Sequence, residues 1–170
     1  MAKPAGTAVR SHAPEQAEYA LDVAYRYLDE RERTSAEVAR RLRREGFSEA
    51  TIAQALAGLA AEGAVDDGRF ARLFAEDKRQ LEQWGSERIR GALRKRGVDP
   101  ETVDSALAAA GESTPASSES EAERALSLLN RRFPAPPRDR RDRERALGVL
   151  LRKGYAFEVA LEALCAYSRE

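Results

Sequence analysis

Hydrophobic positions in this chain recur three and four residues apart, the spacing of one face of an α-helix. Over residues 16–32 the set Ala17, Ala20, Leu21, Ala24, Tyr25 and Leu28 falls on one side. Thr34 then opens a Thr-x-x-Glu box with Glu37, in which the hydroxyl caps one free helix-end amide and the carboxylate reaches back to another. The helix it starts turns Val38 and Leu42 inward and stops at Gly46, and Ser48 caps a third helix carrying Ile52, Leu56 and Leu59. The same grammar returns further on. Asp67 serves as cap for a fourth helix with Phe70, Leu73, Phe74 and Leu81, and Gly85 separates it from a fifth with Ile89 and Leu93 that ends at Gly97. Asp99-Pro100 opens a sixth bearing Val103, Leu107 and Ala110, with proline pre-set for a first helical turn. Strand-period alternation is missing throughout, so the fold class is all-α.

Aligning three glycines reveals an internal repeat. The chain reads VARRLRREGFSEATIAQAL around Gly46, IRGALRKRGVDPETVDSAL around Gly97 and ALGVLLRKGYAFEVALEAL around Gly154. Leucine stands four residues before each glycine (Leu42, Leu93, Leu150) and ten after it (Leu56, Leu107, Leu164). An apolar residue follows directly (Phe47, Val98, Tyr155), and the position eight before is apolar too (Val38, Ile89, Ala146). Glycine accepts the left-handed conformation that ends a helix, and the residue after it packs back on the last turn. One such unit buries little apolar surface by itself, so neighbours are expected to stack into an elongated, curved molecule. The expected organisation is a flexible tail over 1–15, three-helix repeats over 16–65 and 66–110, a polar linker over 111–121 (GESTPASSESE) and a third repeat over 122–170. Within that last repeat the PAPP run at 134–137 cannot continue a helix, because proline lacks the amide donor and disfavours helix before it.

Composition narrows the function. Charged residues make up 34% and aromatics 6%, a polar balance that suits shallow cores. The 29 basic and 29 acidic residues cancel, which argues against a dedicated non-specific DNA coat. Charge is nonetheless segregated: residues 111–130 hold one Arg and four Glu, and residues 131–153 hold nine basic against three acidic residues. Cys165 is the only cysteine, consistent with a reducing compartment. No secretory signal and no apolar stretch near the roughly 20 residues of a membrane span is evident, so a cytoplasmic protein without membrane contact is expected.

Catalytic chemistry is hard to place. The only His, His12, lies in the expected tail, and Cys165 groups with Phe157, Leu161 and Leu164 as a core residue. There is no metal-ligand spacing, no glycine-rich phosphate loop and no cofactor motif. Asp66-Asp67 is explained as a helix start, and Trp84 as a packed joint between helices. The chain is therefore read as a non-enzyme. Basic clusters precede all three glycines: Arg40, Arg41, Arg43 and Arg44; Arg88, Arg90, Arg94, Lys95 and Arg96; Arg152 and Lys153. Cations at helix C-termini complement the helix dipole. Their recurrence also suits contact with an acidic protein groove or a phosphate backbone. The run RDRRDRER from Arg138 to Arg145 reads as the solvated start of the eighth helix.

The AVDDGRFARLF run, the WGSERIRGALRKRGVD segment and the triplicated Leu-x-x-x-Gly hairpin together resemble the RecX family, most specifically at Asp67, Phe70, Ala71, Gly85, Arg88, Ile89 and Arg90. The resemblance implies a modulator that lodges in the groove of a RecA filament on single-stranded DNA, and the balanced charge suggests that it is a monomer. It also implies hindrance of filament growth, ATP hydrolysis, strand exchange and LexA cleavage. The arginines before Gly46 and Gly97 are then the expected contacts, with weak non-specific DNA contact as an adjunct. The alternative is a sequence-specific DNA reader: residues 35–65 resemble a winged-helix core with its third helix as reader. Against it stand the new helix expected at Asp67 in place of a β-wing, and the hairpin's two recurrences.

Overall fold

The structure, a computed structural model, describes residues 13–109 and 120–169. All secondary structure among them is helical: α1 (Ala13–Asp29), α2 (Ser35–Arg44), α3 (Glu49–Ala61), α4 (Asp67–Glu82), α5 (Ser86–Arg96), α6 (Pro100–Ala109), α7 (Glu121–Arg132), α8 (Arg140–Lys153) and α9 (Phe157–Tyr167). None of the helices is long and apolar enough to cross a membrane. The chain divides between Asp66 and Asp67 into two compact units. The first packs α1–α3 around Val38, Leu42, Ile52 and Leu59. The second holds two helix triplets with separate cores: Phe70, Ile89, Leu93 and Val103 in α4–α6, and Leu128, Leu129, Leu150 and Ala160 in α7–α9.

Each hairpin ends its first helix in the same way. Gly46, Gly97 and Gly154 take φ of +87°, +90° and +87°. Their amides donate to Arg43, Arg94 and Leu151 carbonyls at 3.0, 2.9 and 3.0 Å. The amides of the following Phe47, Val98 and Tyr155 donate to Leu42, Leu93 and Leu150 at 3.3, 3.2 and 3.2 Å. This double bond closes the helix end while the residue after the glycine folds onto the leucine. Local capping sets the starts. Thr34 and Glu37 form the reciprocal box, Ser48 accepts from Thr51, and Asp99 accepts from Thr102. Ser120 with Glu123, and Asp139 with Asp142, do the same for α7 and α8.

Several positions differ from the sequence expectation. Helix α1 starts at Ala13, inside the expected tail; residues 1–12 with His12, and 110–119 with Ala110 and most of the linker, lie outside the described residues. Asp67 is the first residue of α4 and not its cap. Leu73 and Leu81 are exposed, because α4 turns its Phe70–Ala71–Ala75 face to its core, with Phe74 beside it. Cys165 is exposed, as are Phe157 and Leu161: α9 packs through Ala160, Ala163, Leu164 and Tyr167, leaving the adjacent stripe outside.

Candidate functional site

The basic residues in the last turns of α2, α5 and α8 separate into those with internal duties and those without. In α2, Arg43 reaches across the hairpin to Glu49 with two bonds of 2.6 and 2.9 Å. That pairing raises the Arg43 pKa and lowers that of Glu49. Arg41 pairs with Glu45 at 2.7 Å. Arg40 and Arg44 are exposed. In α5, Arg90 bridges Glu87 at 2.5 Å and Asp104 at 3.1 Å. The Arg96 guanidinium lies 4.7 Å above the Phe70 ring, and that of Arg88 lies 4.1 Å above Trp84. Arg94 and Lys95 are exposed. Like Arg44, they form no ion pair among the described residues.

The third cluster belongs to a joint. The end of α8 abuts the start of α5 so closely that their backbones bond directly. The Gly85 amide donates to Lys153 O at 2.9 Å, and the Glu87 amide donates to Gly154 O at 3.0 Å. Lys153 Nζ donates to Glu82 O at 2.6 Å, and an Arg88 guanidinium nitrogen donates to Arg152 O at 3.1 Å. The free amides of one helix thus meet the free carbonyls of another, with opposed partial charges in contact. A Cβ on Gly85 would stand 2.4 Å from Gly154 C and O and from Tyr155 N. Gly85 therefore serves close approach; its φ is −76°. The left-handed turn before it falls on Gln83, φ 53°, whose side chain accepts from Arg131.

Around this joint, Ser86 N donates to Glu121 Oε1 at 2.7 Å, and Arg79 Nη2 donates to Leu107 O at 3.1 Å. Burial first, and Arg124 second, lower the pKa of the Arg79 guanidinium. Burial pushes the Tyr155 phenol up to about 12. Trp84 meets Phe74 edge-on, with Lys78 and Arg88 over its faces, so it packs between α4 and α5 as its sequence context suggests. Of the eleven basic residues singled out from sequence, Arg41, Arg43, Arg88, Arg90, Arg96 and Lys153 are thus engaged internally. Arg152 contributes its carbonyl to the joint while its side chain stays exposed. Arg79, Gln83 and Glu121 carry no periodic signal. The single available hint was a glycine, Gly85, where a helix start ordinarily has a capping side chain. Among the described residues no three His, Cys, Asp or Glu side chains are grouped to hold a metal ion. The arrangement supplies cationic surface and a fixed inter-triplet joint, with no nucleophile–base pair on it.

Known proteins match this architecture. The profile of the first RecX three-helix domain matches residues 20–59, and that of the second matches residues 66–107. The chain resembles the crystal structure of RecX from Lactobacillus salivarius with a TM-score of 0.78, at 19% identity over 92% of this chain and 99% of that one. It resembles a second regulatory protein RecX structure with a TM-score of 0.71, at 24% identity over 91% and 73% of the two chains. Both likenesses concern the fold. In sequence it is 34% identical to the regulatory protein RecX of Halorhodospira halophila over 92% of each chain. It is 35% identical to that of Trichlorobacter lovleyi over 78% of this chain and 84% of the relative. With the fold and near-full-length sequence similarity in agreement, the chain belongs to the RecX family of regulatory proteins.

Proposed function

We propose that this protein regulates RecA by binding the RecA filament on single-stranded DNA and restraining its ATPase, strand-exchange and co-protease activities in the bacterial cytoplasm. The observation that carries this reading is membership of the RecX family over 92% of the chain. Physically, a rigid body spanning adjacent protomers disfavours the relative motion that their nucleotide cycle requires. The Gly85–Gly154 joint suits such a body, because backbone bonds fix the two triplets of the second unit against each other. Arg44, Arg94, Lys95 and Arg152 present exposed side chains and are the contacts we assign to an acidic or phosphate-bearing surface. Arg43, Arg90 and Arg96 are assigned chiefly to the fold.

The decisive experiment is a titration of this protein into RecA at fixed single-stranded DNA and ATP, with ATP hydrolysis as readout. A fall in rate at levels well below that of RecA supports filament capture. An unchanged rate at saturating, folded protein refutes it. The winged-helix alternative is disfavoured by α4, which begins at Asp67 where a β-wing would follow the reader helix. A preference for one duplex over competitor at moderate salt would restore it.

A further inference from the structure

The three hairpins share a register, and their outer faces can be compared position by position. Three residues before and three after the glycine, the first hairpin carries Arg43 and Glu49, bonded to each other. Seven before and seven after, the second carries Arg90 and Asp104, also bonded. The third has Leu151 and Phe157 at the inner pair of positions, Leu147 and Leu161 at the outer pair, and Cys165 one turn further along α9. Leu151, Phe157 and Leu161 are 41%, 52% and 38% exposed. Each of the first two hairpins thus carries one cross-hairpin ion pair, at the inner positions in the first (whose outer pair is Ala39 and Ala53) and at the outer positions in the second, whereas both pairs are apolar in the last. Isolated exposed leucines are ordinary, but a contiguous stripe along two antiparallel helices is the mark of a contact surface.

Between α8 and α9 the stripe deepens into a groove of about 450 Å³ whose floor includes Leu147, Leu161, Leu164 and Cys165. Its rim carries Arg140, Arg143 and Arg169 against Glu144, and Glu144 is already paired with Arg140 at 2.8 Å. Arg143 and Arg169 have no ion pair among the described residues. The chain's own uncharted segments fit poorly. Residues 110–119 are acidic but hold no large apolar side chain, and residues 1–12 bring Lys3 and Arg10 to a cationic rim. A second copy would bring its own three arginines into the same contact.

We infer that the α8–α9 face docks an amphipathic helix of another protein, with its apolar stripe on Leu147, Leu151, Phe157 and Leu161 and acidic side chains over Arg143 and Arg169. This mode lays helical anchors at three- and four-residue spacing into a groove. The inference does not rest on the RecA reading, since it follows from the contrast between hairpins.

The test uses the full chain and two synthetic helical peptides with the same leucine stripe, one with glutamates and one with lysines on the remaining face. Anisotropy titrations measure binding. The alkylation rate of Cys165 by neutral iodoacetamide reports occupancy of the groove, because this is the only thiol in the chain. The glutamate peptide is expected to bind about tenfold tighter than the lysine peptide, the effect of a few rim charge pairs, and to slow alkylation. Leu161→Arg should abolish both effects, and Arg143→Glu, which leaves two arginines against two glutamates on the rim, should erase the peptide preference; the latter residue lies on the exposed rim and carries the test if the former variant fails to fold. Equal binding of both peptides, or binding without protection of Cys165, overturns the proposal. So does self-association of the full chain that Leu161→Arg returns to monomer, since the occupant is then a second copy.

Discussion

Replacing Gly85 by alanine probes the joint with a single methyl group. The new carbon would lie 2.4 Å from three backbone atoms of Gly154 and Tyr155, whereas ordinary contact begins at 3.4 Å. The α5 start and the α8 end must therefore part by about 1 Å, which breaks or stretches bonds that now measure 2.9 and 3.0 Å. A backbone hydrogen bond contributes about 0.5–1.5 kcal/mol net, and a buried group left without a partner costs about 1–3 kcal/mol. Two such bonds put the expected loss at about 2–4 kcal/mol. The backbone itself gives no reason for loss, because φ at Gly85 is −76°. Gly91→Ala is the internal control: it lies within α5 with nothing near its added carbon, and should stabilise by about 0.5–1 kcal/mol. Urea unfolding followed by the fluorescence of Trp84, the only tryptophan, reads this unit directly. For a chain of this size a loss of about 3 kcal/mol lowers Tm by roughly 6–12 °C. If Gly85→Ala is as stable as the parent while Gly91→Ala behaves as expected, backbone contact does not hold the two triplets together.

Other consequences are simpler to state. Thr34→Ala removes the buried hydroxyl that accepts from Glu37 N at 3.2 Å, and should cost about 1 kcal/mol in thermal melts. Tyr155 has its folded pKa raised from 10.0 to about 12. Its proton-bound form is favoured by folding, so this stability is complete below pH 10 and is lost as pH rises towards 12; Tyr155→Phe should flatten an alkaline denaturation curve in that window. Glu123, lowered by its bonds to Ser120, acts in the opposite sense. Its contribution is present above the ordinary carboxylate pKa and lost as pH falls through the lower folded value, so Glu123→Gln should weaken the acid dependence of the melting temperature. On the proposed RecA reading, reversing Arg94 and Lys95 to glutamate should weaken inhibition of RecA ATPase about tenfold, with only the modest loss in melting that follows from removing cations at a helix end; Arg90→Glu should lower the melting temperature further, through loss of its bonds to Glu87 and Asp104.

Hairpin chemistry and most helix boundaries, though not the starts of α1 and α4, were legible in the sequence because their causes are local. A Thr-x-x-Glu box acts over one turn, and a left-handed glycine followed by an apolar residue closes a helix wherever it occurs. Thr34, Ser48, Gly46, Gly97 and Gly154 do in the fold what their neighbours in the chain predict. Family resemblance was legible for the same reason, since it rests on these repeated local signals. Which apolar positions are buried was decided elsewhere. Leu73, Leu81, Phe157, Leu161 and Cys165 all keep helical spacing, yet they face solvent because their helices turn narrower, alanine-rich faces to their neighbours. The division of arginines into structural and exposed ones also needed the tertiary structure. Arg43, Arg90 and Arg96 find their partners across a hairpin or on a neighbouring helix, at separations that no local pattern encodes. Gly85 makes the point most directly. Its sequence role looked like that of a separator, whereas its physical role is to leave room for Gly154, which lies in another triplet of the fold.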